Sequence, residues 1–125
     1  MSNNLLELQD LYRESLTREI MEKTKNSGLQ WTAISSVQFK ATQIVNTPTL
    51  VQWDYNVTKT QIGNLSYQYT LDIKKNGVSF FTSKNGPGAY TDRDTMVQDL
   101  YETVEIIVLQ SDQKLKEILQ VVQDI

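Results

Sequence analysis

Two aspartates are the residues of this chain best placed for metal or acid–base chemistry. Asp54 and Asp72 occupy polar positions in two predicted neighbouring strands, "LVQWDYNVT" and "LSYQYTLDIK". Two such carboxylates could bind Mg²⁺ through oxygen, or act as an acid and a base. The pattern supplies no second base and no apolar pocket around them. Two solvated surface side chains are therefore the simpler interpretation.

The absence of two residue types excludes several kinds of chemistry. The 125 residues include no histidine and no cysteine. Histidine is the commonest general base and zinc ligand, and cysteine is needed for disulfides and thiolate metal sites. Hydrolytic triads, zinc sites and thiol chemistry are therefore excluded. We predict a protein that is not an enzyme and that holds no metal ion or cofactor.

The segment "SKNGPGAYTDRD" (83–94) precedes a predicted helix, where backbone N–H groups favour anions. It lacks the Gly-x4-Gly-Lys-Ser/Thr pattern of a phosphate-binding loop, and Asp92 and Asp94 would repel a phosphate. A crossover from sheet to helix is the simpler interpretation. The alternative is a loop that binds a partner through three side chains expected to be exposed: Lys84, Tyr90 and Arg93.

Aromatic side chains are concentrated on one face of the predicted sheet. They are Trp53, Tyr55, Tyr67, Tyr69 and Phe80. Aromatic platforms of this kind can stack nucleobases. These rings share their face with Leu71 and Ile73, however, and must meet the helices, so we expect them to form the core.

Charge and hydropathy bear on the partners and the location of the protein. The chain has 12 basic and 15 acidic residues and a net charge of −3, which argues against a nucleic-acid partner. The longest nearly apolar run, "VEIIVL" (104–109), is too short to span a bilayer. The first residues, "MSNNLLELQDLYRE", lack the pattern of a signal peptide. We therefore expect a cytoplasmic protein with no membrane partner.

The first element is predicted to be a helix from Asn4 to Lys25. Asn4 and Glu7 are spaced as a capping box, and "NSG" (26–28) ends the helix. Apolar residues recur along it at helical spacing and are expected to be buried. They are Leu5, Leu8, Tyr12, Leu16 and Ile20.

The period then changes from 3.6 to 2, which is typical of strands. Alternation over 31–45, 50–58 and 65–74, and a further run from Val78, predicts four strands in an antiparallel meander. "NG" at 76–77 is the preferred two-residue hairpin turn. A turn there pairs Lys75 with Val78, Lys74 with Ser79 and Ile73 with Phe80, which would place Phe80 on the buried face.

The C-terminal part follows an apolar heptad. A helix is expected to start at Thr91 or Asp92, and only "QSDQ" (110–113) interrupts the repeat. One continuous or gently kinked helix is favoured over two helices split near Ser111-Asp112. The repeat consists of Val97, Tyr101, Val104, Val108, Ser111, Leu115, Ile118, Val122 and Ile125.

A single helix of that extent would overhang the sheet. Residues 92–124 would span about 50 Å at ~1.5 Å per residue, whereas a ten-residue strand spans about 33 Å. Burying an apolar side chain gains roughly 1.5–3 kcal/mol, so the overhanging ones should be covered by the first helix or by a second copy. We predict a homo-oligomer, most simply a dimer, with an interface of Leu115, Ile118, Val122 and Ile125.

Taken together, these elements predict one α+β domain over 1–125. It consists of an N-terminal helix, a four-stranded antiparallel meander and a long C-terminal helix, with the helices on one face of the sheet. In element order this is similar to double-stranded-RNA-binding domains, export chaperones and small phage inhibitors of bacterial defence. The lysine-rich helix start of the RNA-binding domains is replaced here by the acidic "TDRDTM".

The absence of histidine and cysteine favours a non-enzymatic interaction protein. It would be an inhibitor, an adaptor or a chaperone-like subunit, and a phage or mobile-element anti-defence protein is one form of this prediction. It would bind a protein through loop 83–94 and the open polar face of the sheet, which carries Gln52, Asp54, Asn56, Gln68 and Thr70. The alternative is a small-molecule or nucleotide binder with a pocket between sheet and helix or at a dimer seam.

Overall fold

The computed structural model describes residues 2–46, 48–87, 95–111 and 113–125, with the side chains of these residues except those of 2–7, 10 and 113–115. Over these ranges the chain has the predicted α+β composition. Helix α1 (Ser2–Lys25) precedes a five-stranded antiparallel sheet in which the strands lie side by side in chain order. The strands are β1 (Trp31–Ser35), β2 (Gln38–Asn46), β3 (Leu50–Gln61), β4 (Tyr67–Lys75) and β5 (Val78–Asn85), and the helices α2 (Met96–Ser111) and α3 (Gln113–Gln123) follow.

The prediction of four strands was wrong because residues 31–45 form a hairpin and not one strand. A turn at 36–37 separates β1 from β2, where the Val37 N–H donates to Ser35 Oγ at 3.2 Å. Trp31 pairs with Ala41 and Ala33 with Phe39, so odd-numbered residues face odd-numbered residues. The register shifts between Ala33 and Ser35, where Ser35 pairs with Gln38, and this irregularity keeps odd-numbered residues of both strands on one face. Periodicity alone therefore cannot reveal the turn.

The β4–β5 hairpin follows the predicted turn but not the whole predicted register. Asn76 and Gly77 both have positive φ, and Lys75 pairs with Val78 and Lys74 with Ser79, as expected. The register then shifts, so that Ile73 pairs with Phe81 and not with Phe80. Phe80 is the extra residue of a β-bulge and is 66% exposed, which contradicts its predicted burial.

Helix α2 supplies most of the cover for the sheet. Its buried side chains include Leu100, Val104 and Tyr101, and the Tyr101 ring lies 5.6 Å from that of Phe39 and 5.4 Å from that of Tyr69. The predicted caps Thr91 and Asp92 lie outside the described residues. A cap comes instead from the end of β5: Asn85 Oδ1 accepts from the Val97 N–H at 2.6 Å and the Gln98 N–H at 3.0 Å.

Helix α1 lies on the same face of the sheet but buries only Ile20 among the described side chains of its predicted apolar stripe. Its buried side chains are Thr17, Ile20 and Thr24, whereas Tyr12 is 73% exposed. The two threonines can be buried because each hydroxyl donates to a carbonyl of the preceding turn, Thr17 to Arg13 and Thr24 to Ile20. Leu8 and Leu16 are exposed as well, and the side chain of Leu5 lies outside those described.

The structure has two C-terminal helices where one long helix was preferred: α2 extends to Ser111 and α3 begins at Gln113, and Asp112 between them lies outside the described residues. Ser111 Oγ donates back to the Ile107 carbonyl at 2.8 Å, which does not cap the helix that follows. Every described side chain from 116 to 125 is exposed, with Ile118 at 59% and Val122 at 60%. Helix α1 therefore does not cover these side chains. The side chain of Leu115 lies outside the described set.

Candidate functional site

A groove separates α1 from the hairpin end of the sheet. Leu16 of α1 forms one wall. The facing wall and floor come from β3, β4 and β5 and are almost entirely apolar. The groove encloses about 310 Å³ and its sheet residues are Trp53, Tyr55, Ile73, Phe80 and Phe81.

The groove continues along α1 in both directions from Leu16. Toward the C-terminal end of the helix, a space of about 200 Å³ is bounded by Ile20, Lys23 and Tyr55. Toward the N-terminal end, a space of about 260 Å³ is bounded by Gln9, Tyr12 and Phe81. Leu16 lines all three spaces, so they form one depression beside residues 9–23 of α1, about 21 Å long at ~1.5 Å per residue.

The position of α1 leaves this groove open. Thr17 and Met21 line a small space together with Met96 and Asp99 of α2, so that side of α1 faces α2. Leu16 points instead toward the sheet residues beyond α1. Two helices thus cover only part of the apolar sheet face, and no third described element packs on the rest.

The β-bulge builds the aromatic wall of the groove. It turns Phe80 against Trp53, with ring centroids 5.3 Å apart in an edge-to-face arrangement. Lys75 Nζ lies 5.6 Å from the Trp53 centroid and 5.9 Å from that of Phe80. Aromatic pairs of this kind contribute about 0.5–1.5 kcal/mol beyond their buried area. The exposed wall is therefore held in place before anything binds to it.

The polar chemistry within the groove is limited. The Tyr55 hydroxyl donates to Gln43 Oε1 at 2.8 Å, and burial raises the pKa of Tyr55 above its usual value. The phenol therefore stays protonated at neutral pH. Arg13, Glu19 and Lys23 lie at the ends of the groove, where they can contact the polar side of an occupant.

The opposite face of the sheet carries the predicted polar set. Two of the predicted partner-binding residues, Tyr90 and Arg93, lie outside the described residues. The other six share this face by strand register: Gln52, Asp54, Asn56, Gln68, Thr70 and Lys84.

Several of these polar groups already have partners within the chain. The Asn56 amide donates to the Asp72 carbonyl at 3.4 Å, and the Gln68 amide donates to the Pro87 carbonyl at 3.1 Å. Lys84 also has interactions within the chain. Their role in binding a partner stays a prediction.

The two aspartates do not form a joint site. Asp54 lies opposite Lys74, and Asp72 lies opposite Asn56. Asp72 accepts from Ser79 Oγ at 2.7 Å and from Thr82 Oγ1 at 3.1 Å. Within the described ranges no three acidic residues come together in a way that could hold a metal ion.

Asp54 is 6% exposed although it lies on the polar face of the sheet. It accepts from Thr42 Oγ1 at 2.7 Å and from Gln52 Nε2 at 3.2 Å, and Lys40 Nζ lies 3.7 Å away. The Thr42 hydrogen bond, followed by the contacts of Gln52 and Lys40, lowers the pKa of Asp54 against the opposing effect of burial. Asp54 is thus a structural carboxylate that ties β2 to β3.

We expect Asp54→Asn to lower the free energy of unfolding at pH 7 and to matter less in acid. A depressed folded-state pKa stabilises the fold above the unfolded value of ~3.9, and this stabilisation is lost as the pH falls through the folded value. Urea unfolding of both proteins at pH 7 and near pH 3 measures the difference. If the free energies of unfolding of the two proteins differed equally at both pH values, the structural role of the Asp54 carboxylate would be contradicted.

Sequence reasoning missed the groove because it assigned Trp53, Tyr55 and Phe80 to the core. One signal was present in the sequence. Phe80 and Phe81 are adjacent, and two successive aromatic residues cannot both face the core in a regular strand. A bulge, or one exposed ring, was therefore required.

Comparison with protein-family models, with curated proteins and with solved structures finds no match to this chain. No helix in the described residues combines the length and the hydrophobicity that a membrane span needs. The function must therefore be argued from the groove and the polar face themselves.

Proposed function

We propose that this protein is a non-enzymatic protein-interaction module, acting in the cytoplasm, whose groove binds an amphipathic helix of a protein partner. One observation carries the proposal: the exposed apolar stripe of α1 borders the exposed aromatic wall of the sheet across a single groove. Leaving several large apolar side chains in water forgoes roughly 1.5–3 kcal/mol each. Contiguous apolar surface of this kind marks interaction sites in soluble proteins.

The shape of the groove favours a helix as the occupant. One of its walls is α1 itself over residues 9–23, about 21 Å or roughly four helical turns. An amphipathic helix would place its apolar face against Leu16, Trp53 and Phe80. Its polar face would remain in water beside Lys75 and Arg13. An inhibitor, an adaptor or a chaperone-like subunit could each use such a groove.

A small apolar molecule is the second candidate occupant. The central space of about 310 Å³ lies at the lower end of the range typical of ligand pockets, about 300–1,000 Å³. The Tyr55 hydroxyl and Gln43 would orient it. A thermal-shift screen that includes nucleotides and apolar compounds separates the two candidates, because a tight ligand raises the midpoint of unfolding by linkage.

The proposal is tested by capture with three baits: wild type, Phe80→Asp in the groove and Gln52→Arg on the polar face. Both altered side chains are exposed, so both variants should fold, which circular dichroism verifies. We expect a defined host protein to bind wild type and Gln52→Arg and to be lost from Phe80→Asp. The reverse pattern would assign the binding to the polar face and contradict the groove.

A further inference from the structure

We infer that the groove is filled by helix α3 of a second copy of this chain, in a reciprocal exchange that forms a two-fold dimer. This inference rests on the proposed function, because it requires the groove to accept an amphipathic helix. It goes further by naming that helix and the residues that enter the groove.

Helix α3 has the surface of a helix without a partner. Ile118, Leu119 and Val122 of α3, and Ile125 two residues after its end, are spaced 1, 3 and 3 apart and fall on one side of the helix axis. All four are exposed, although soluble proteins normally bury such a stripe. One chain thus carries both an open apolar groove and an apolar helix face that nothing in the described chain covers.

The two surfaces match in length. Helix α3 has 11 residues and spans about 17 Å at ~1.5 Å per residue. The groove extends beside residues 9–23 of α1, about 21 Å on the same scale. The helix therefore fits within the groove and can contact all three of its spaces.

The polar side of α3 is compatible with this placement. Glu117, Gln120 and Asp124 lie on the side of the helix away from the apolar stripe, and all three are exposed. With the stripe in the groove, these side chains would remain in water.

The arrangement of the helices favours a second copy as the source of α3. Only residue 112 separates α3 from α2, and α1 lies between α2 and the groove. Every described side chain of α3 is exposed, so α3 does not occupy the groove of its own chain. Exchange between two copies brings α3 of each chain into the groove of the other. The exchange fills both grooves through two identical contacts, so the assembly is closed at two copies.

Sedimentation velocity of the full chain at tens of micromolar tests the exchange. We expect wild type to sediment at about twice the chain mass of 14.4 kDa. Ile118→Lys on α3 and Phe80→Asp in the groove should each give a monomer. Gln120→Lys introduces the same charge on the opposite side of α3 and should leave the dimer intact.

Mixing the two monomeric variants distinguishes exchange from other dimers. Ile118→Lys retains an intact groove and Phe80→Asp retains an intact α3, so exchange predicts that the mixture forms a heterodimer held by one contact. A dimer formed by α3 against α3 would persist in Phe80→Asp alone.

The inference is overturned by a monomeric wild type, by a Phe80→Asp variant that remains dimeric, or by a mixture that stays monomeric. A monomeric wild type whose captured partner is nevertheless lost in Phe80→Asp would remove the exchange and leave the proposed function standing. Unchanged capture by Phe80→Asp would remove the proposed function itself.

Discussion

Replacing Tyr101 with alanine should lower the free energy of unfolding by about 3–5 kcal/mol, the range for truncating a large buried aromatic side chain. Tyr101 is almost fully buried, and its ring packs against Phe39 of β2 and Tyr69 of β4. Its removal leaves a cavity where α2 meets the centre of the sheet. Urea unfolding followed by circular dichroism measures the loss.

Tyr101→Phe is the matched control because it keeps the ring and removes only the hydroxyl. That hydroxyl donates to Glu105 Oε2 at 3.1 Å, and burial together with Glu105 raises the pKa of Tyr101, so the group is neutral at ordinary pH. Losing one hydrogen bond to a carboxylate costs about 1.5–3 kcal/mol. Equal losses for both variants would show that the ring packing does not stabilise the contact of α2 with the sheet.

Gly86→Ala should be the second strongly destabilising change, although it adds only one methyl group. Gly86 has a φ of 114°, and a Cβ added there would lie 2.5 Å from the Tyr67 carbonyl oxygen. Backbone strain at a positive φ costs about 1–3 kcal/mol, and forcing an atom against fixed backbone adds about 1–3 kcal/mol. We expect a total loss of roughly 2–6 kcal/mol in urea unfolding.

Gly63→Ala separates the two contributions. Gly63 has a similar φ of 123°, but a Cβ there would meet nothing within 4 Å. It should therefore show the backbone strain without the clash and be less destabilising than Gly86→Ala. Equal effects at the two positions would contradict the close approach of the Gly86 segment to β4. The expected difference also means that a glycine of the 83–94 segment has a structural role.

Local sequence determined the turn chemistry and the alternation of the sheet. Asn76 and Gly77 adopt the positive φ that their turn requires, and the polar residues of β3 and β4 share one face as the period of 2 predicts. Both features depend on neighbours in sequence, so composition and spacing suffice to predict them. The α+β class follows from the change of period between α1 and the strands.

The errors arose where tertiary contacts decide between alternatives of similar local energy. Thr17 and Thr24 of α1 are buried in place of Tyr12 and Leu16, because small side chains allow close packing and their hydroxyls bond within the helix. A pattern of hydrophobicity cannot predict the burial of a threonine whose hydroxyl donates to a carbonyl of its own helix. The candidate groove follows directly from that choice, since it leaves the apolar side of α1 unpacked.

The bulge at Phe80 is the other feature that local rules did not determine. The turn permits both Phe80 and Phe81 as the partner of Ile73, and Phe81 is the one that packs against the core. The register prediction therefore succeeded for the two pairs next to the turn and failed at the third. Because of this shift, Phe80, which was predicted to lie in the core, forms part of the wall of the groove.

Photo-cross-linking from position 80 tests most directly whether the groove between α1 and the sheet is a binding surface. A photoreactive phenylalanine analogue replaces Phe80 in the full chain, and the same group at Gln52 reports on the polar face. We predict that position 80 gives a covalent product with a polypeptide, whose attached peptide carries apolar residues at helical spacing. A position 80 that yields no product while position 52 yields one would contradict the account.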